Sequence, residues 1–203
     1  VSGIRRCGKS TLFRLFKDEL LAEGVKPEQI ISINFEELEY EPLREYHALY
    51  QYILNQMQPN QMNYIFLDEI QHVDQFHRVV DSLFVKENTD IYITGSNAYF
   101  MSSDIATLLT GRYVEIQMLP LSFAEFYYSK YEEQQYSLIP AYEAYLRESS
   151  FPYTQQLGGE DFDIQEYLRG LYNTLLLHDV VARLKINDVT ILQDIVRYIM
   201  ANV

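Results

Sequence analysis

Gly3-Ile4-Arg5-Arg6-Cys7-Gly8-Lys9-Ser10, continued by Thr11, is the stretch on which the reading of this chain turns. It fits the spacing G-x-x-x-x-G-K-S/T of a phosphate-binding loop. Glycines let backbone N–H groups turn inward around phosphate oxygens, and the helix that follows aims its positive end at the same point. The Lys9 ammonium is suited to neutralising β- and γ-phosphate groups, and the Ser10 hydroxyl to one position on a Mg²⁺ ion. Directly downstream, Leu12, Phe13, Leu15, Phe16, Leu20 and Leu21 recur at helical spacing from Lys9 to about Glu23, and Gly24 supplies the stop. Such a loop follows a central strand, of which Val1 and Ser2 remain. The chain starts without a methionine and inside this motif, so it reads as a piece of a longer protein whose first strand is largely missing.

Working outward, the sequence alternates strand with helix. Ile30–Phe35 is a short β-branched run and Tyr64–Leu67 a compact apolar run of strand length, the latter suited to a buried parallel strand. Ile91–Ile93 is a further strand, ended by Thr94-Gly95-Ser96-Asn97, and Tyr113–Gln117 another. Between them helices are expected from Leu43 to about Gln56 with Pro42 at the start, from Phe76 to Phe84, and around Asp104–Leu109 before Gly111. This alternation predicts an α/β core with a parallel sheet over residues 1–120. After Pro120 the reading is helical: a capping box at Ser122-Phe123-Ala124-Glu125 opens a helix to about Tyr131. Helices follow around Ala141–Glu148, Ile164–Leu177 and Asp188–Met200, the last with Asp188 as N-cap and with a loop expected at residues 158–161. Residues 121–203 are thus expected to be a helical lid and the start of a C-terminal, winged-helix-like region, cut short.

Tyr64-Ile65-Phe66-Leu67-Asp68-Glu69 carries the second half of the chemistry: an apolar strand ending in two acids. Ligands in such sheets bind at the carboxyl ends of the strands. There Asp68 can hold Mg²⁺, usually through water, and Glu69 can orient and polarise a water that attacks a γ-phosphate. Alone, an Asp-Glu pair after an apolar run describes a solvated strand end. Paired with the phosphate loop, and separated from it in sequence by the extra strand Ile30–Phe35, it describes a nucleotide site.

Composition narrows the rest. Hydrophobic residues make up 48% and charged residues 22% of 203, as in an ordinary globular protein and unlike a disordered one. No apolar run approaches the roughly 18 residues a membrane helix needs, and no secretory leader opens the chain. The single cysteine excludes an internal disulfide framework and fits a reducing cytoplasm. With 16 basic and 29 acidic residues the formal charge is −13, which repels phosphate backbones, so nucleic acid is not an expected partner. The basic residues Arg5, Arg6, Lys9 and Arg14 cluster at the loop, where Arg5 and Arg6 either contact phosphate or face solvent. Cys7 fills a variable loop position and could make the site sensitive to oxidation. His47, His72, His77 and His178 have no partner at metal-ligand spacing, and a structural role is expected of them.

GIRRCGKST, FLDEIQ, YITGSNAYF, LLTGRYVEI and LPLSFAEF, in that order, resemble the AAA-type ATP-binding proteins common in bacteria and archaea. The nearest likeness is to those whose ATPase domain is followed by a C-terminal domain of unknown function, and YLRGLYNTLLLHDVVAR looks like their stretch after the ATPase domain. The resemblance implies a P-loop NTPase three-layer sandwich with ATP and Mg²⁺ as its ligands. Carried onto this chain, it makes Gly3 to Thr11 nucleotide contacts, Ser10 and Asp68 metal partners, and Glu69 and Lys9 catalytic. Ser96 or Asn97 matches the place of a polar residue that senses the γ-phosphate, although a turn prefers such residues anyway. Gly111-Arg112 matches the family's Gly-Arg pair, leaving Arg112 as either an arginine finger or one half of a surface salt bridge. No Asn-Lys-x-Asp guanine-reading motif is present, which on grounds of resemblance argues against a GTPase.

Three functions remain open on the sequence. The first is Mg²⁺-dependent ATP hydrolysis that drives a conformational change in the attached C-terminal region. The second is an ATP-bound switch with little turnover, and the third a phosphotransferase, disfavoured by the Asp-Glu pair and by the lack of an evident acceptor site. The resemblance also permits a homo-oligomer, whether ring or transient multimer. No protein partner can be read. A DNA-binding module beginning in Ile164–Val203 is disfavoured by Glu166, Asp179, Asp188 and Asp194.

Overall fold

Among the described residues six short strands, all pairing in parallel, carry the first part of the chain, and their order places the loop strand between two neighbours rather than at an edge. The computed structural model describes residues 1–96, 111–131, 136–157, 161–175, 181 and 189–202. The described residues fall into two compact units, Val1–Pro120 and Leu121–Val203.

In the first unit the strands are β1 (Ser2–Gly3), β2 (Ile30–Asn34), β3 (Asn63–Asp68), β4 (Thr89–Ile93), β5 (Gly95–Ser96) and β6 (Gln117–Met118). One sheet has the order β2-β3-β4 and the other β5-β1-β6. Thr94 alone separates β4 from β5, and the Val1 nitrogen donates to the Ile93 carbonyl at 2.6 Å, so the two ladders run on through one strand path. Parallel neighbours need crossover connections, and here the described ones between β1 and β4 carry helices.

Helices α1 (Lys9–Ala22), α2 (Tyr46–Gln56) and α3 (Phe76–Phe84) cover the sheet. The pleat of β3 divides the core. Ile65 and Leu67 join Ile31, Ile33, Leu49, Ile53, Val79 and Leu83 in a cluster made with α2 and α3. Phe66, pointing the other way, packs with Phe13 and Leu20 of α1. The Phe66 ring meets Phe13 edge-on at 5.2 Å and stacks on Tyr92 at 4.8 Å. A sheet buried on both faces is a three-layer α/β sandwich: the alternation predicts the α/β class, and the resemblance implies the three layers.

The starts of three expected elements are displaced, at Leu43, Tyr113 and Asp161. The helix expected from Leu43 begins at Tyr46, where the Glu45 carboxylate accepts from the His47 and Ala48 N–H groups. Pro42 lies inside a preceding 3₁₀ stretch, Leu38–Arg44. Pro lacks the N–H that an α-helix interior needs, whereas an acceptor at the N-cap satisfies groups otherwise orphaned. The strand expected at Tyr113–Gln117 is displaced to the two-residue β6, Gln117–Met118, which pairs with Ser2–Gly3, and Val114 and Ile116 stay exposed. The extra strand that precedes β3 in sequence, β2, lies outermost in space, and β4 with β5 is what intervenes between the loop strand and β3. The helix expected around Asp104–Leu109, most of the loop at 158–161, Leu177 and the N-cap Asp188 lie outside the described residues, while Asp161 opens a helix.

The second unit contains, among the described residues, α4 (Phe123–Tyr131), α5 (Leu138–Glu148), α6 (Asp161–Thr174) and α7 (Val189–Ala201). The capping box is formed: the Ser122 N–H donates to the Glu125 carboxylate at 2.7 Å and the Glu125 N–H to the Ser122 hydroxyl at 3.3 Å. Phe126 is fully buried against Tyr131 and Tyr145, Phe123 packs on Tyr142, and Lys130 pairs with the buried Glu148. Several of the abundant tyrosines thus serve as packing residues here, with Tyr145 donating its hydroxyl to the Leu121 carbonyl at 2.9 Å. No described helix is long and apolar enough to cross a membrane.

Candidate functional site

The loop leaves β1 at Gly3 and enters α1 at Lys9, and its backbone needs its glycines. A Cβ on Gly3 would stand 2.6 Å from the Met118 carbonyl oxygen and 2.8 Å from the Cys7 sulfur, and Gly8 sits at φ +109°. Arg6 also has a left-handed φ of 64°, so the chain reverses hand twice within three residues, the kind of turn that gathers N–H groups into a concavity. Gly8 is the N-cap of α1 and brings no side-chain acceptor, and the first turn (Lys9, Ser10, Thr11) has no acidic residue. The positive end of α1 is therefore met by no acidic or capping side chain of its own first turn, the arrangement that suits an anion. Ser10 and Thr11 are exposed there, Ile4 and Arg5 are half-buried, and Arg6 is exposed.

Lys9 is 4% exposed, which an ammonium tolerates only with partners. Its Nζ donates to the Gly3 and Ile4 carbonyls at 3.3 and 3.2 Å and lies 3.5 Å from the Glu69 carboxylate. Cys7 beside it is buried. Desolvation pushes its thiol above the ordinary value, although the Lys9 charge pulls the other way.

The acids stand at the carboxyl end of β3, at the same edge of the sheet, and both are buried. Asp68 accepts a hydrogen bond from the Thr94 hydroxyl, which itself accepts from the Glu69 N–H at 3.0 Å. Thr94 is fully buried, its N–H donates to Leu67, and its carbonyl accepts from Ile70. Glu69 adopts φ 55°, ψ 46°, an uncommon conformation for a residue with a side chain. This turns the chain sharply out of the strand into the 3₁₀ turn Ile70–His72, with the Gln71 amide donating to the Glu69 carboxylate. Thr94 and Gln71 were not singled out from the sequence. Each stands inside a stretch already marked, the turn Thr94–Asn97 and FLDEIQ, but what it touches depends on β3 lying beside β4.

Loop, helix end, lysine and acids thus converge on one edge of the sheet. The remaining expected residues do not all join them. Arg112 pairs with Asp81 of α3 at 3.0 Å and lies over the Phe84 ring, the salt-bridge alternative of the two stated above. Ser96 lies in β5, and Asn97 lies outside the described residues. His72, exposed, comes within 4.8 Å of Glu36 and Glu69 through its ring nitrogen. That neighbourhood was invisible in the spacing, since Glu36 follows a different strand. A cavity of about 370 Å³ lies elsewhere in the first unit, bounded by Val80, Phe84, Tyr92, Arg112 and Val114. Its described lining contains none of Lys9, Asp68 or Glu69.

A buried parallel sheet with a glycine-bounded loop at a helix N-terminus and acids on the next strand but one defines a nucleotide-binding protein of the P-loop class. A family model described as an AAA domain matches residues 1–127, and the chain belongs to that family of nucleotide-binding ATPases. It is 37% identical over 206 residues to an uncharacterised protein of Haemophilus influenzae, with all of this chain and 51% of that protein aligned. It is 32% identical over 221 residues to an uncharacterised protein of Methanocaldococcus jannaschii, covering 46% of it. The chain spans about half the length of these curated relatives.

Proposed function

We propose that this chain binds Mg²⁺ and ATP at the loop and hydrolyses ATP, passing a conformational change to the attached C-terminal region. The observation that carries the reading is the approach of Lys9 and Glu69, from a loop and a distant strand, to 3.5 Å at the head of α1. Backbone N–H groups from Gly3 to Thr11 hold the phosphates, with Ile4, Arg5, Arg6, Cys7 and Gly8 contributing main chain and Lys9 contributing charge. Ser10 and Asp68 are hard oxygen donors of the kind Mg²⁺ prefers, and Asp68 keeps a carboxylate oxygen beyond the one bonded to Thr94. The ion, when bound, neutralises charge on the phosphate oxygens.

Glu69 orients the attacking water and accepts its proton as the water oxygen bonds to the γ-phosphorus. The bond from that phosphorus to the β–γ bridging oxygen breaks, and ADP leaves with the electron pair. Ser96 or Asn97 senses the γ-phosphate. Arg112 acts as an arginine finger only if assembly frees it from Asp81. A homo-oligomer and a cytoplasmic location accord with this reading.

A second reading, an ATP-bound switch with little turnover, is favoured by one observation: both oxygens of the Glu69 carboxylate are engaged, one facing Lys9 and one accepting from Gln71. Phosphate release from ATP by the full-length protein, with and without Mg²⁺, separates the two. Hydrolysis requires turnover by the wild type, loss of binding in Lys9→Ala, and binding without turnover in Glu69→Gln. Tight binding without release by the wild type establishes the switch. A folded wild type that binds no nucleotide overturns both.

A further inference from the structure

Three donors on Lys9 face three acceptors: the Gly3 carbonyl, the Ile4 carbonyl and the Glu69 carboxylate. A phosphate entering the loop competes for this ammonium and takes the share now directed at Glu69, the acceptor lying farthest from it. Once that happens, the hydrogen bond from the Gln71 amide nitrogen, at 2.5 Å, is the remaining hold on the Glu69 carboxylate among the described residues.

Gln71 is placed to keep that hold. Its turn is pinned on both sides: Ile70 is fully buried and donates its N–H to the Thr94 carbonyl at 3.0 Å, and Val73 is buried and donates to Ile70 at 2.9 Å. The orientation of the Gln71 amide is settled by chemistry, since an ionised carboxylate accepts only from the NH₂ end. The carbonyl oxygen at the other end is buried and meets no donor among the described residues. A glutamine in a surface turn gives both ends to solvent, and a buried acceptor without a donor is costly enough to require a purpose.

We infer that Gln71 is the positioning residue for Glu69. Its amide N–H holds the carboxylate in line after Lys9 turns to phosphate. This rests on the hydrolysis reading above.

The test is steady-state ATP hydrolysis and fluorescent-nucleotide binding with the full-length protein, comparing wild type, Gln71→Met, Glu69→Gln and the double variant. Methionine keeps the side chain's length and removes both ends of the amide. The expected result is a fall in kcat of about 10- to 100-fold in Gln71→Met, as for a misaimed catalytic group. KM and nucleotide affinity should stay within about twofold, because the interaction matters only when the water is attacked. The double variant should be no slower than Glu69→Gln, because Gln71 acts through Glu69. Wild-type kcat in Gln71→Met, alongside an inactive Glu69→Gln, overturns the inference and leaves hydrolysis standing. Parallel loss of nucleotide binding, kcat and melting temperature in Gln71→Met assigns a structural role and overturns it equally. Unimpaired turnover in Glu69→Gln removes the reading on which it rests, and the inference with it.

Discussion

The Lys9 ammonium lies 3.5 Å from the Glu69 carboxylate, with side-chain exposures of 3% and 9%. In this setting each charge answers for the other. Removing one partner of a desolvated, hydrogen-bonded pair costs about 2–5 kcal/mol. With a phosphate in the place of Glu69 as the partner of the ammonium, Lys9→Ala is expected to weaken ATP binding by about 30- to 4,000-fold. Glu69→Gln retains a polar group of the same shape and should bind nucleotide normally. Titration with a fluorescent ATP analogue checks both, and an affinity unchanged in Lys9→Ala would remove the loop from the binding site.

Thr94 ties the two acids together, accepting from the Glu69 N–H and donating to Asp68 with one hydroxyl. Thr94→Val keeps the shape and leaves a buried N–H and a buried carboxylate oxygen without that partner. Urea unfolding should show a loss of about 1–3 kcal/mol, the cost of an unsatisfied buried group. The Mg²⁺ dependence of nucleotide binding should shift to higher concentration, because Asp68 loses the contact that orients it.

Gly3 has no room for a side chain: the nearest obstacle is the Met118 carbonyl, a backbone atom that cannot swing aside. Gly3→Ala is expected to destabilise by about 1–3 kcal/mol through overpacking. It should also displace the loop from β6 and lower nucleotide affinity. Thermal unfolding with and without ATP separates the two effects, since a purely global loss leaves the ATP-induced rise in Tm intact.

Burial pushes the Cys7 thiol up, and the neighbouring Lys9 only partly opposes it. A raised value means that less thiolate is present at neutral pH than for an exposed cysteine, so reaction with a disulfide reagent should be slow there. The rate should keep rising with pH beyond the range where an ordinary thiol has levelled off. Rapid modification at pH 7 would show that the loop opens to solvent.

Arg112 and Asp81 are both substantially exposed, and such pairs contribute about 0–1 kcal/mol. Arg112→Ala should accordingly leave urea stability almost unchanged. A fall in kcat of about a thousandfold at unchanged stability would assign Arg112 to the transferring phosphate as a finger. An unchanged kcat would leave it as the surface ion pair seen here.

What could be read from the chain is what is encoded locally. The loop and the start of α1 follow from glycine and lysine spacing, α3 from apolar periodicity over Phe76–Phe84, and the capping box from Ser122 and Glu125 three residues apart. The helix at Leu43–Gln56 was misplaced at its start because Pro42 resembles a first-turn proline, while the Glu45 carboxylate supplies the actual cap. The strand expected at Tyr113–Gln117 pairs at its far end, as Gln117–Met118 beside Ser2–Gly3, a register that periodicity does not see.

By itself the sequence determined the α/β class, from strand and helix patterns alternating over residues 1–120, and two short motifs, the loop Gly3–Ser10 and the acid-tipped strand Tyr64–Glu69, each contained within a few positions. Tertiary structure decided the rest. It set β4 and β5 between the loop strand and β3, so that Thr94, on that intervening path, bridges Asp68 and Glu69. It brought Lys9 against Glu69, turned Gln71 back onto that carboxylate, and joined Arg112 to Asp81. Strand order and side-chain approach across it are set by how the helices cover the two faces of the sheet. That is a property of the whole first unit, and no short window of residues contains it.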